Sequence, residues 1–198
     1  FKMLKMGVEG EPKVTDKLKE VLSKGKTLGL DGRLINEVTY RNYKKIADRN
    51  EAKVNLHINL IENLWRDRPS LSAEPVWILA PKYAGKTVKR KLRDVLDHMK
   101  EEDADGFLLT SLCDIAWLLN MRGNDIPCCP VFMSYMWITQ KKAVLYIQRK
   151  ALNDKTKAYL KKNQITIKSY DAIYKDLAKE KATRIKIGRK RKKRTRKM

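Results

Sequence analysis

A guanidinium, two carboxamides and a carboxylate crowd into Asn120-Met121-Arg122-Gly123-Asn124-Asp125, directly after the apolar run Ile115–Leu119. Arg122 has the fork of donors that grips a carboxylate or carbonyl bidentately. The same residues also suit a helix exit, with Gly123 in the left-handed conformation and Asp125 accepting from nearby backbone N–H groups. Composition does not separate recognition from capping here.

Other stretches carry weaker chemistry. Ala84-Gly85-Lys86-Thr87 sits between a predicted strand and a predicted helix, as a phosphate-binding loop does. Such a loop needs glycine five residues before Gly85. That position is Ala80, followed by Pro81, which has no N–H to donate. The next predicted strand ends without an aspartate for magnesium, so the expectation is a plain connection with Thr87 as helix cap. His57 and His98 have no zinc-type spacing to the cysteines. Cys113, Cys128 and Cys129 have no identifiable activating neighbour and are expected to be inert, buried or half-buried thiols. They make no disulfide framework, which favours a reducing cytoplasm.

The formal net charge is +22. Residues 184–197 supply 10 basic residues and no acid, which leaves 35 basic against 23 acidic residues elsewhere, a net +12. Arg189, Lys190, Arg191, Lys192, Lys193 and Arg194 have the composition of a nucleic-acid or nuclear-import arm. The same run reads equally as a disordered solvated tail over 182–198 that binds polyanions in a salt-dependent way. Its abrupt change of style is also what a shifted reading frame would produce. Phe1–Met6 lacks the apolar core of a signal peptide, and no apolar run approaches the roughly 20 residues of a membrane span.

The elements that must position these residues follow from periodicity. Val14, Leu18, Val21 and Leu22 mark an amphipathic helix after Pro12. Thr27–Leu30 and Lys53–Ile58 read as strands, Thr39–Arg49 and Leu60–Trp65 as helices. Too few strands accompany them to close a sheet, so residues 1–68 are expected to be the second half of a domain. Beyond Pro69 the pattern is fuller. Val76–Ala80 is a predicted strand, and Val88, Leu92, Val95, Leu96 and Met99 stripe a helix over Thr87–Lys100. Gly106–Thr110 is the next strand, and Ser111 caps a helix through Asn120. Met121–Pro130 is expected as a loop. Val131–Thr139 and Ala143–Ile147 form an expected antiparallel pair across Gln140-Lys141-Lys142. Asn153–Lys162 reads as helix, Ile165–Lys168 as strand and Tyr170–Lys181 as helix. The alternation predicts an α/β fold with a mixed sheet.

One segment is more specific than any of this. Ile115-Ala116-Trp117-Leu118-Leu119-Asn120-Met121-Arg122-Gly123-Asn124-Asp125-Ile126-Pro127, then Cys129-Pro130-Val131-Phe132 and Ser134-Tyr135, resembles the middle domain of the long, three-domain aminopeptidase P proteins of the creatinase/prolidase superfamily. Trp65, Asp67-Arg68-Pro69, Pro75, Tyr83-Ala84-Gly85 and Leu109-Thr110 extend the likeness, and Phe1-Lys2-Met3 with Leu28-Gly29-Leu30-Asp31 are similar to its first domain. The likeness covers about 1–181. Two positions depart: Cys113 stands where the family usually has an acid, and Cys129 where it commonly has asparagine.

The resemblance implies a creatinase N-terminal-type mixed β-sheet with helices on both faces over 69–181, preceded by a partial domain of the same type. It implies a non-catalytic region of a cytoplasmic Xaa-Pro aminopeptidase, inactive alone, that shapes access to the active site and dimer contacts. Asn120, Arg122, Gly123, Asn124 and Asp125 would then form a substrate-access or interface loop toward the catalytic domain. Two divalent metals, commonly manganese, are expected in that catalytic domain and none on this chain. The expected partners are the catalytic domain and a second copy in a homodimer, with polyanions possible through the tail and no membrane. The rival expectation is a basic adaptor that binds nucleic acid through Arg189–Arg194.

Overall fold

The computed structural model describes residues 3–62, 64–180 and 184–187, which divide between two compact units, 1–70 and 71–198. Arg189, Lys190, Arg191, Lys192, Lys193 and Arg194 lie outside the described residues.

In the first unit, helix α1 (Val14–Val21) leads to strand β1 (Thr27–Gly29), helix α2 (Glu37–Arg49) and strand β2 (Lys53–Asn55). The strands pair in parallel, Leu28 opposite Val54, as expected when a helix supplies the crossover. Helix α2 begins two residues before the predicted start, because the Asn36 carboxamide accepts from the Thr39 N–H at 2.9 Å. The unit's core is small: Leu22, Ile46, Ala47 and Ala52, with Leu18, Leu28 and Val54 against them. The helix expected over Leu60–Trp65 is not formed. Residues 60–62 and 64 are turns, and Leu60, Ile61 and Leu64 are exposed. A helix this short needs a buried face, and this one has none.

The second unit holds strand β3 (Trp77–Ile78), helices α3 (Pro81–Ala84) and α4 (Val88–Glu101), strand β4 (Gly106–Leu109), helix α5 (Leu112–Leu119), strands β5 (Met121–Arg122), β6 (Ser134–Thr139) and β7 (Ala143–Ile147), helix α6 (Asp154–Lys162), strand β8 (Ile165–Ser169), helix α7 (Ala172–Ala178) and strand β9 (Ile185–Ile187). Its main sheet runs β8-β7-β6-β4-β9. Strands β6 and β7 are antiparallel as predicted, β7 and β8 parallel, and β4 is antiparallel to β6. It is a mixed sheet with helices on both faces.

Strand alternation explains the layering. Met136, Ile138, Leu145 and Ile147 point into the larger core with Val88, Met99, Ile115, Leu118, Leu119 and Leu160 from α4, α5 and α6. Trp137, Val144 and Tyr146 point the other way, onto Ile173, Ala172 and Leu177 of α7. Gly106 sets the fit on that second face, since a Cβ there would lie 2.1 Å from the buried Trp137 ring.

Three predicted boundaries change. Strand β6 starts at Ser134 rather than Val131, because the Met133 N–H is tied to the Asp125 carboxylate at 2.7 Å. The first two residues of the expected 121–130 loop form β5, antiparallel to β3. Ile185–Ile187, read from sequence as tail, pairs in parallel with β4.

Candidate functional site

The candidate loop leaves α5. The Ser111 hydroxyl accepts from the Asp114 N–H at 3.4 Å to start that helix, and Ile115, Ala116, Leu118 and Leu119 are buried along it. The left-handed turn that ends it falls on Asn120 (φ 50, ψ 40), not on Gly123 as the capping reading expected. Asparagine is among the few residues besides glycine that enter this conformation readily. Gly123 answers a different need. Its Cβ would stand 2.9 Å from the Phe132 Cβ and 3.0 Å from the Val131 carbonyl oxygen, so the chain closes on itself there.

Asn120 is 1% exposed and uses both ends of its carboxamide. Its Oδ1 accepts from the Lys91 Nζ at 2.7 Å, and its Nδ2 donates to the Lys86 carbonyl at 2.8 Å. Its own carbonyl accepts from the Leu79 N–H at 2.8 Å. Lys91, also 1% exposed, donates to the Trp117 carbonyl at 2.7 Å and stands 4.2 Å from the Trp117 ring centroid. Burial holds its pKa below the usual lysine range, with the positive charges of Arg122 and Lys86 adding to the fall. Lys91 is the residue that sequence reasoning missed. It falls three residues after Val88 and four before Val95, inside the stripe of α4, and a search for apolar periodicity passes over a lysine.

Arg122 donates from one nitrogen to the Ala116 carbonyl at 2.8 Å and the Met121 carbonyl at 2.9 Å. The Ala116 carbonyl belongs to the last turn of α5 and Met121 to β5, so the guanidinium ties the helix end to the strand that follows it. Its backbone pairs with Trp77. Asp125 is the junction of three segments. Its carboxylate accepts from the Ser72 hydroxyl at 2.5 Å, the Glu74 N–H at 2.9 Å and the Met133 N–H at 2.7 Å. Asn124, Ile126, Pro127 and Cys128 remain exposed. The structure therefore brings Asn120, Arg122, Gly123 and Asp125 together as a polar frame and leaves Asn124 and Ile126 at its outer edge.

The remaining sequence candidates are placed as follows. Lys86 pairs with Asp94 at 2.8 Å, and the Thr87 hydroxyl caps α4 through the Arg90 N–H. His57 is exposed, and His98 faces Glu101 at 3.3 Å. Two of the three cysteines expected to be buried or half-buried, Cys113 and Cys128, are exposed: Cys113 lies at the start of α5 and Cys128 in a turn of the loop. Among the described residues no group of three or more His, Cys, Asp and Glu is arranged to hold a metal ion. A concavity of about 600 Å³ lies by Met99, Ala104, Thr139 and Lys142 and includes none of Asn120–Asp125.

The model of the Creatinase/Prolidase N-terminal domain matches residues 67–196. The chain belongs to that family. It is 37% identical over 179 residues to a probable Xaa-Pro aminopeptidase P of Chaetomium globosum, covering 88% of this chain and 28% of that protein. The probable Xaa-Pro aminopeptidase P of Botryotinia fuckeliana is 37% identical over 177 residues, covering 88% and 27%. The crystal structure of X-prolyl aminopeptidase from Caenorhabditis elegans, described as a cytosolic enzyme with a di-nuclear active site, superposes with a TM-score of 0.79 at 28% identity. That match covers 90% of this chain and 29% of the worm enzyme. The chain thus spans under a third of the length of these relatives, and the second unit alone is too short to supply the coverage.

Proposed function

We propose that this chain is the non-catalytic N-terminal and middle region of a manganese-dependent Xaa-Pro aminopeptidase, and that it shapes access to the active site and contributes dimer contacts. In this reading residues 1–68 are the second half of a first creatinase-type domain and 69–181 a complete middle one. The observation that carries it is the asymmetric match, 88% of this chain against 28% of a probable Xaa-Pro aminopeptidase P. Two metal ions do not fit the residues described here, since no three ligand side chains converge. We assign the di-nuclear centre to the part of the relatives that this chain does not cover, and the cytoplasm as its compartment.

The role of the loop follows from its construction. A polar frame tied to Ser72, Glu74, Lys86 and Lys91 holds Asn124 and Ile126 in a fixed position, which suits a wall or a docking edge more than a moving lid. Arg122 faces its own helix end, so it acts by holding the loop in shape.

The purified 198-residue chain, given an Xaa-Pro peptide and manganese, is expected to show no turnover. Hydrolysis above the buffer blank would overturn the reading. In a full-length protein that carries this segment, Arg122→Ala is expected to raise KM or weaken the dimer while the metal content stays intact. Unchanged affinity, rate and assembly would leave the loop a purely structural feature.

A further inference from the structure

Helix α4 carries opposite charge on its two flanks. Asp94, Glu101 and Glu102 lie on one, each already engaged, with Lys86, His98 and Lys186. Lys89, Arg93, Leu96 and Lys100 follow at i, i+4, i+7 and i+11 and share the other. That flank is one wall of a concavity of about 450 Å³, closed by Lys141 and Lys142 of the β6–β7 turn and by Asn163 and Gln164 after α6. The Gln140 carboxamide donates to the Leu96 carbonyl at 3.1 Å and fixes the turn against the helix. Lys142 pairs with Glu180 at 2.8 Å. The side chains of Lys89, Arg93, Lys100 and Lys141 make no hydrogen bond or ion pair among the described residues, and Asp97 is the single acid that lines the concavity. These four like charges repel one another and focus a positive field in the groove.

The floor of the groove selects among anions. Leu92, Leu96 and Ala143 line it half-buried, packed on the main core, so apolar surface lies between the cations. No aromatic ring lines it, which leaves the bases of a nucleic acid nothing to stack on. A second copy of the chain is repelled at a net charge of +22, and its Glu102 and Asp103 are already held by Lys186 and Arg184. We propose that the groove between α4 and the β6–β7 turn docks an acidic segment of another protein, with carboxylates on Lys89, Arg93, Lys100 and Lys141 and an apolar side chain on Leu92, Leu96 and Ala143. The Arg93 fork receives a carboxylate bidentately, and the lysines act as point charges. The site is separate from the Asn120–Asp125 loop, none of whose residues line it. Its cations are exposed, so added salt weakens the docking.

The probe is a short fluorescein-labelled peptide of glutamate and aspartate with one central leucine, titrated into the full chain and followed by anisotropy. The basic run Arg189–Arg194 attracts any polyanion, so two triple variants of equal charge change are compared. Lys89→Gln/Arg93→Gln/Lys141→Gln is expected to weaken binding about tenfold, the sum of three exposed charge contacts. Lys45→Gln/Lys155→Gln/Lys175→Gln, at exposed positions outside the groove, is expected to weaken it less than about twofold. Replacing the central leucine of the peptide by serine is expected to cost about threefold, for apolar contact on a half-exposed floor. Carbodiimide coupling of the wild-type complex is expected to join peptide carboxylates to Lys89, Lys100 or Lys141. Equal losses in the two variants, coupling confined to lysines of 190–197, or the serine peptide or an RNA oligonucleotide held as tightly as the leucine peptide would each overturn the proposal. So would self-association of the chain that the groove variant abolishes.

Discussion

The two units use the same kinds of polar side chain differently. In the first, most of the ion pairs are local and reach into water, Lys24 to Glu51 being a longer exposed one. Asp31 pairs with Arg33 two residues on, Arg41 with Glu37 within one helical turn, and both pairs are exposed at the guanidinium. The second has local exposed pairs too, such as Lys157 with Asp154, but adds contacts that are distant in sequence and partly or wholly withdrawn from water. Lys91 reaches Asn120 from 29 residues away, Asp125 holds Ser72 from 53 away, and the Trp137 indole donates to Glu180 from 43 away. A local exposed pair competes with solvent and adds little. A buried pair fixes one arrangement of the chain, because each partner left alone would bear its full desolvation cost.

The sharpest way to break this contrast is Asp125→Ala. It strips the acceptor from one hydroxyl and two backbone N–H groups in two segments, and the expected loss is about 2–4 kcal/mol in the second unit. Urea unfolding followed through the buried Trp137 measures it, and a loss well under about 1 kcal/mol would remove the distinction between the units.

Lys91→Met comes next. It keeps the packing but leaves the Asn120 and Trp117 oxygens without their ammonium donor, for an expected cost of about 2 kcal/mol at neutral pH. Its pH dependence sharpens the comparison. The folded-state pKa of Lys91 is lowered, so the unfolded chain binds the extra proton between that lowered value and the ordinary lysine value of about 10.4. Wild-type stability should therefore gain a rising component as pH climbs through that window. The difference curve between wild type and variant isolates it, and a flat difference would show that the ammonium is not desolvated.

The smallest effect is expected in the first unit. Asp31→Asn should leave amide exchange at Ala47 and Ala52 unchanged at neutral pH. The Arg33 side chain, and then its N–H, hold the Asp31 carboxyl down at about 2. Its small contribution is thus complete above the unfolded value of about 3.9 and is lost only as pH falls toward 2. A clear loss at neutral pH would mean that this exposed pair behaves like the buried ones.

Periodicity made most of the second unit legible. The α4 stripe, the β6–β7 pair across Gln140-Lys141-Lys142 and the helix α6 were all expected and are all present. The failures share a cause. The Leu60–Trp65 segment has helical spacing but no surface to bury, and β5 and β9 are too short to show alternation. The composition of the loop named the residues that matter, yet it could not say that Asn120 rather than Gly123 turns the helix, or that Arg122 looks inward.

The sequence by itself determined the family, through Ile115–Asp125, and the layered α/β order, because both are written in residues adjacent along the chain. Only the tertiary structure decided which polar groups are structural. Whether Lys91, Asn120 and Asp125 face water or one another depends on α4, α5 and the 72–74 segment meeting in space, and a one-dimensional pattern holds no distance between positions that far apart.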